Sequence, residues 1–274
     1  MSERNAPALK QEDEHMRGPY IWACAMLLVL GVASADRGAL AQKGARGALI
    51  DELVTANRIL ANENVLDAYG HVSVRNTETP SHFFLSRTMP SSLVTAADII
   101  EYDLDSRPIV PTEAGGYNER FIHGEIYRAR PDVMAVVHMH APEIVSFSAS
   151  SVPLRPIFHL AAFIGEGVPK FEIRDAEGVA DTLVRSPQLG RALAQTLADK
   201  PAALMRGHGA VAVAPSVHIA VGRAYYMALN ARLQAQAIAL GGDITYLSAE
   251  QVEKAGLQDE YERAWALWKS RVTK

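Results

Sequence analysis

The run from Val133 to His140 constrains this chain most. Its first half is apolar and β-branched, which fits a strand, and it ends in His138-Met139-His140. In a strand, residues i and i+2 project to the same face, so the two imidazoles converge on one point. Taken alone, such a pair fits either surface histidines at a strand end or ligands of a divalent metal. Cys24 is the single cysteine, so neither an intrachain disulfide nor a cysteine-built metal cluster can form. A metal site here must be built from the nine histidines and the carboxylates.

Around that run, strand and helix patterns alternate. Leu49–Glu63 carries apolar residues at helical spacing. Tyr69–Arg75 alternates apolar and polar residues as a half-buried strand, and Phe83–Ser86 is a second short strand. Ala97–Asp103 follows a Thr95 cap signal. Asn118 can cap a helix from Glu119 to about Arg130, stopped by Pro131. Leu204–Ala214 holds two strand-like runs around Arg206-Gly207-His208-Gly209. Ser216–Leu240 is a long Ala-rich helix closed by Gly241-Gly242, and Ala249–Lys269 predicts a final helix. Asp175–Asp181 reads as a loop. The mixture predicts one α/β domain over 42–274. A net charge of -4 and 7% aromatic residues argue against a nucleic-acid partner.

The first residues are read apart from that domain. Lys10 and Arg17 precede an apolar run from Ile21 to Val32, followed by Ala33-Ser34-Ala35 and then Ala39-Leu40-Ala41. A basic flank, a short apolar run and small-x-small sites are the parts of a secretory signal peptide. The run is short of the roughly 20 residues a bilayer span needs. Residues 1–41 are therefore expected to be a signal peptide and processing region, placing the mature protein in the periplasm or outside the cell with no stable membrane span. The alternative is a buried apolar helix in a cytoplasmic protein.

Two further features join the histidine pair. His208 stands between Gly207 and Gly209, where missing side chains let backbone approach a site closely. Glu119 opens a helix, whose dipole holds a first-turn carboxylate ionised, and His123 falls one turn later on the same face. His123 in such a place reads more readily as a packed or supporting residue than as a chemical group. Three histidines with one open position would leave room for a substrate oxygen, the mark of a catalytic metal site.

These residues resemble a known family. Asn118–Arg130, Arg130-Pro131-Asp132-Val133 and Ala135–Pro142 are similar to the central signature of class II aldolase/adducin domains. Gly70-His71-Val72-Ser73-Val74-Arg75 and Arg206-Gly207-His208-Gly209-Ala210 resemble its flanking motifs in the same order, so the likeness covers roughly Ala48–Gly242. It implies a three-layer α/β/α domain whose zinc or manganese is held by His138, His140 and His208. Glu119 matches the family's catalytic acid/base. Members commonly form tetramers with active sites at subunit interfaces.

The sugar-phosphate aldolases of the family hold phosphate with a Gly-Asn-x-Ser motif, a Thr-Gly pair and two serines. The corresponding positions here read His71, Ser86-Arg87 and Tyr117-Asn118. His71, Ser86 and Arg87 become candidate substrate-binding residues, and arginine is suited to a bidentate grip on a carboxylate. His159 stands near a position where some aldolases supply a proton-donating tyrosine from the neighbouring subunit. The pattern is similar to the decarboxylase branch, which acts on hydroxylated aromatic or pyridine dicarboxylates or on ring-cleaved carboxy-muconic semialdehydes. Aldol cleavage and decarboxylation both leave an electron pair on carbon, which a divalent Lewis acid helps to disperse. The resemblance thus implies a metal-dependent carbon–carbon lyase with a small-molecule carboxylate substrate. Sugar aldolase, iron-dependent oxygenase and non-catalytic adducin-like domain are the alternatives.

Overall fold

The computed structural model describes residues 44–177, 181–255 and 261–273. The expected signal peptide, 1–41, lies outside them. Helix α1 spans 44–62. The following elements are β1 (His71–Arg75), β2 (His82–Ser86), β3 (Ile99–Asp103), α2 (Arg120–Ala129), β4 (Ala135–Met139), α3 (Pro142–Ala149), β5 (Lys170–Phe171), α4 (Ile173–Glu177), α5 (Pro187–Leu197), β6 (Ala202–Met205), β7 (Gly209–Ala214), α6 (Val217–Leu240), α7 (Ala249–Ala255) and α8 (Glu262–Val272). The strands form one sheet in the order β3-β2-β1-β4-β7-β6-β5. Every neighbouring pair is antiparallel except β5 with β6.

Strand alternation sorts side chains into two cores. Val72, Val74, Ala135, Val137 and Met139 point to the side covered by α1, α3, α6 and α8, where Leu53, Ile144, Val221 and Trp268 meet them. Phe83, Leu85, Val136, Val211 and Val213 point to the other side, against Ile122 and Ile126 of α2 and Leu189 and Leu193 of α5. The result is the three-layer α/β/α arrangement. The same alternation places His71, Ser73 and His138 on the α2 side, because they alternate with the residues of β1 and β4 that face the other core. Register then sets His71 opposite His138 on adjacent strands.

Several elements differ from the sequence reading, and α3 and β5 are absent from it. The segment expected as a loop from Asp175 contains the end of α4, Ile173–Glu177. The expected helix over Ala249–Lys269 is broken: Tyr261, left-handed at φ 64, starts α8 afresh. Helix α5 went unread, although Ser186 caps it by accepting from the Leu189 amide at 3.2 Å and Pro187 fits its first turn.

The β6–β7 turn depends on two glycines. Gly207 adopts φ 64, a left-handed conformation that side chains disfavour. At Gly209 a Cβ would stand 2.0 Å from the Met139 carbonyl oxygen, so β7 approaches β4 more closely than alanine permits. Gly209→Ala is expected to destabilise the fold by about 1–3 kcal/mol, the usual cost of overpacking. Urea unfolding checks this; an unchanged midpoint would mean that the two strands separate without cost.

Candidate active site

The C-terminal end of β4, the β6–β7 turn and the start of α2 meet at one point. His138 is the next-to-last residue of β4, and His140 follows two residues later, just past the strand. Their Nε2 atoms are 3.0 Å apart. His208 reaches in from the turn, with Nε2 3.1 Å from that of His140. Glu119 closes the group, its Oε2 3.4 Å from His208 Nε2 and 3.6 Å from His138 Nε2. One ligand atom from each of the four lies within 4.8 Å of the others.

The opposite ring nitrogens decide the proton positions. His138 Nδ1 faces the Ala210 carbonyl at 3.2 Å, and His208 Nδ1 faces the Thr182 carbonyl at 2.7 Å. A carbonyl only accepts, so both rings carry their proton on Nδ1. His140 Nδ1 faces the Asp67 carboxylate at 3.1 Å, and that carboxyl is held below its ordinary range despite burial by the Tyr69 and Gly70 amides and by His140. All three Nε2 lone pairs therefore converge. Lone pairs at such separations repel unless a cation stands between them, so the donor set fits a divalent metal and the Nδ1 contacts orient its ligands.

Glu119 occupies the N-cap position of α2, one residue before the helix proper, but makes no side-chain cap bond. Its Oε1 instead accepts from the Val184 amide at 2.8 Å. Burial opposes its charge, yet hydrogen bonding and attraction to the His138 and His208 rings, when these carry a proton on Nε2 in place of binding a cation, outweigh that, so the carboxyl stays ionised well below the usual range. His208 is raised in turn, Glu119 overcoming the effect of burial.

A cavity of about 510 Å³ opens over this group, lined also by Tyr69, His71, Thr88, Tyr117 and Asn118. The Tyr117 ring lies 4.3 Å from the His71 ring, and its hydroxyl donates to the Met89 carbonyl at 2.6 Å. With the hydroxyl engaged there, Tyr117 offers the cavity its ring.

Comparison with known proteins agrees with this geometry. The class II aldolase and adducin N-terminal domain matches residues 51–235, more than half of the chain. The chain belongs to the class II aldolase/adducin family.

Among relatives, the chain is 36% identical over 244 residues to decarboxylase tropJ of Talaromyces stipitatus, covering 80% of this chain and 92% of that protein. It is 34% identical over 215 residues to 3,4-dihydroxyphthalate decarboxylase of Arthrobacter keyseri, covering 74% and 82%. L-fuculose 1-phosphate aldolase from Glaciozyma antarctica shares the fold at a TM-score of 0.68, with 24% identity and coverage of 84% and 89%. Like the decarboxylases of its family, the chain is a carbon–carbon lyase.

The structure brings Glu119, His138, His140, His208 and His71 together and places the remaining candidates elsewhere. Arg87 does not line the cavity: its Nε donates to Asp98 Oδ1 at 2.7 Å, so that carboxylate holds the guanidinium. Ser86 is fully buried, with its hydroxyl 3.4 Å from that of Tyr117. His159 is exposed at the start of a short 3-10 turn, against Phe158 and away from this chain's cavity. Among the described residues lining the cavity there is no arginine or lysine. Sequence reasoning missed Asp67, whose part depends on a contact 73 residues away in the chain.

Two expected outcomes follow from the ligand geometry. His140→Ala should abolish metal retention, and Asp67→Ala should weaken affinity about 10–100-fold by freeing the His140 ring. Metal-competition titration measures both; undiminished affinity in either variant would refute that residue's place. The second outcome concerns pH. Burial, reinforced by His138, pushes His123 down to about 3 from an ordinary 6.5. Between those values the unfolded chain holds the extra proton, so stability rises with pH through that window. Chelator-treated protein should lose thermal stability from pH 6.5 towards 4, and less steeply in His123→Leu. A flat profile would contradict the buried neutral ring.

Proposed function

We propose that this lyase is a metal-dependent decarboxylase of hydroxylated aromatic dicarboxylates, using zinc or manganese. The observation that carries the reading is the convergence of three Nε2 lone pairs beside an ionised carboxylate, beneath a cavity walled by an aromatic ring. Bound there, the metal would supply a Lewis acid that draws electron density from the substrate. The relative from Arthrobacter keyseri is named for a substrate of this class, a dihydroxylated aromatic dicarboxylate.

The chain's own groups divide the remaining work. Tyr117 would stack on the substrate ring. His71, Thr88 and Asn118 would hold its retained carboxylate as neutral donors. Glu119, ionised at rest, would accept the proton of a substrate hydroxyl and then deliver it to the ring carbon as the neighbouring carboxylate leaves as carbon dioxide. The product forms as the phenolate and regains its hydroxyl proton from water, which balances proton and charge. Ser86 and Arg87 have no part in it. His159 fits a role across a subunit boundary in a homotetramer, the assembly common among class II aldolases. Export through residues 1–41 completes the proposal; the N-terminal sequence of protein from the native cell tests it, and an uncleaved Met1 or Met16 terminus would refute it.

The chemical test is release of carbon dioxide from 3,4-dihydroxyphthalate and related hydroxylated dicarboxylates by zinc- or manganese-loaded enzyme. Glu119→Gln should lower kcat about 10²–10⁴-fold, the range typical of general acid–base groups, with metal content unchanged. Near-normal kcat would remove Glu119 from the proton transfer, and oxygen uptake during turnover would favour an oxygenase instead.

A further inference from the structure

Behind His71 lies a chain of buried polar groups, His123, Ser73 and Tyr127, to which the proposed chemistry gives no part. His71 Nδ1 is 2.7 Å from His123 Nε2, and His123 Nδ1 is 2.6 Å from the Ser73 hydroxyl. Ser73 in turn is 2.8 Å from the Tyr127 hydroxyl. All four residues are buried, His71 to 1% exposure and His123 and Ser73 to 0%. Two elements build the chain: His71 and Ser73 share one face of β1, and His123 and Tyr127 are one turn apart on α2.

Its direction can be worked out from the closed end. That end is the buried Tyr127 hydroxyl. For its own proton the acceptors are Ser73 Oγ at 2.8 Å and the Met134 carbonyl at 3.5 Å, and the latter is at the limit of a hydrogen bond. Tyr127 therefore donates to Ser73, which passes its proton to His123 Nδ1. His123, neutral, carries its proton on Nε2 and donates to His71 Nδ1. That leaves the His71 proton on Nε2, the ring nitrogen left to face the cavity that His71 lines. The reverse direction would leave the Tyr127 proton on the 3.5 Å contact alone.

We propose that Ser73, His123 and Tyr127 are positioning residues that fix His71 as an Nε2–H donor to an anionic carboxylate oxygen of the substrate. The proposal rests on the carboxylate-substrate reading given above and deepens it. Because no arginine or lysine of the described residues lines the cavity, a donor hydrogen locked in place has more to contribute there than in a cation-lined pocket. Removing Ser73 takes away the proton that His123 Nδ1 accepts. His123 can then shift its own proton to Nδ1 and offer a lone pair to His71. His71 would follow by moving its proton to Nδ1, presenting the cavity with an acceptor that repels a carboxylate.

The test uses full-length, zinc-loaded protein and two readouts independent of turnover. Ring ¹⁵N NMR reports the His71 tautomer, and calorimetry reports the binding of phthalate, an aromatic dicarboxylate without the hydroxyl needed for reaction. Wild type should show His71 protonated on Nε2 and bind phthalate. Ser73→Ala should move the proton to Nδ1 and weaken phthalate binding about 10–100-fold, the weight of a hydrogen bond to a charged group, with zinc content unchanged. Should Ser73→Ala fail to fold, His123→Gln and His123→Leu pose the same question. The amide can accept from Ser73 and donate to His71, so Gln should keep most of the affinity and Leu should lose it. An Nδ1-protonated His71 in wild type, absent phthalate binding, or equal affinity across the variants would each overturn the proposal. Failure of carbon dioxide release alone would count against the decarboxylase reading and leave these results standing.

Discussion

Five imidazoles meet at one end of the sheet, and a buried ring nitrogen without a partner costs free energy. The fold meets that demand unevenly. Ala210, Asp67 and Thr182 take up the Nδ1 protons of His138, His140 and His208. His71 and His123 satisfy each other, with Ser73 and Tyr127 behind them. Three Nε2 lone pairs are left over, and they converge. Supporting contacts thus create the donor set as much as the ligands themselves do, because each decides which nitrogen of its ring remains free.

Those contacts depend on sheet register. His71 lies beside His138, and Met139 beside Ala210, so one antiparallel pairing sets the back of the cavity and the next sets the Ala210 carbonyl against His138. A slip of one residue between β1 and β4 would carry His71 and Ser73 to the other face and turn Val72 and Val74 towards α2. The polar chain towards α2 would then have no start. Gly207 and Gly209 add the remaining constraint, since the turn carrying His208 closes over Met139 only without a Cβ at Gly209.

How much of this is legible in sequence follows from the range of each interaction. Period-2 spacing gives His138 and His140, the flanking glycines mark His208, and the helix start marks Glu119. All are local signals. The signals of helix α5 are equally local, with Ser186-Pro187 followed by Leu189, Leu193 and Leu197 one turn apart. Arg87 is the instructive case. Its residue type fits a carboxylate grip, but the carboxylate it meets is Asp98, which the Thr95 capping box holds at the start of β3. Only pairing of β2 with β3 brings the two together. His123 reads as a supporting residue from sequence, yet its partners stand 50 and 52 residues away, so what it supports could not be named.

The displacement of Arg87 from the cavity also bears on the chemistry. In decarboxylation the departing carboxylate begins as a localised anion and ends as neutral carbon dioxide. A guanidinium clamped on that group would bind the ground state more strongly than the transition state, which lowers KM at the expense of kcat. In the proposed reaction, neutral donors on the retained carboxylate would avoid the conflict, since that charge is unchanged as the bond breaks. In the proposed reaction, a cavity walled by the Tyr117 ring and neutral polar groups, with its one described carboxylate at Glu119, would concentrate strong electrostatics at Glu119 and the cation-binding histidines beside it.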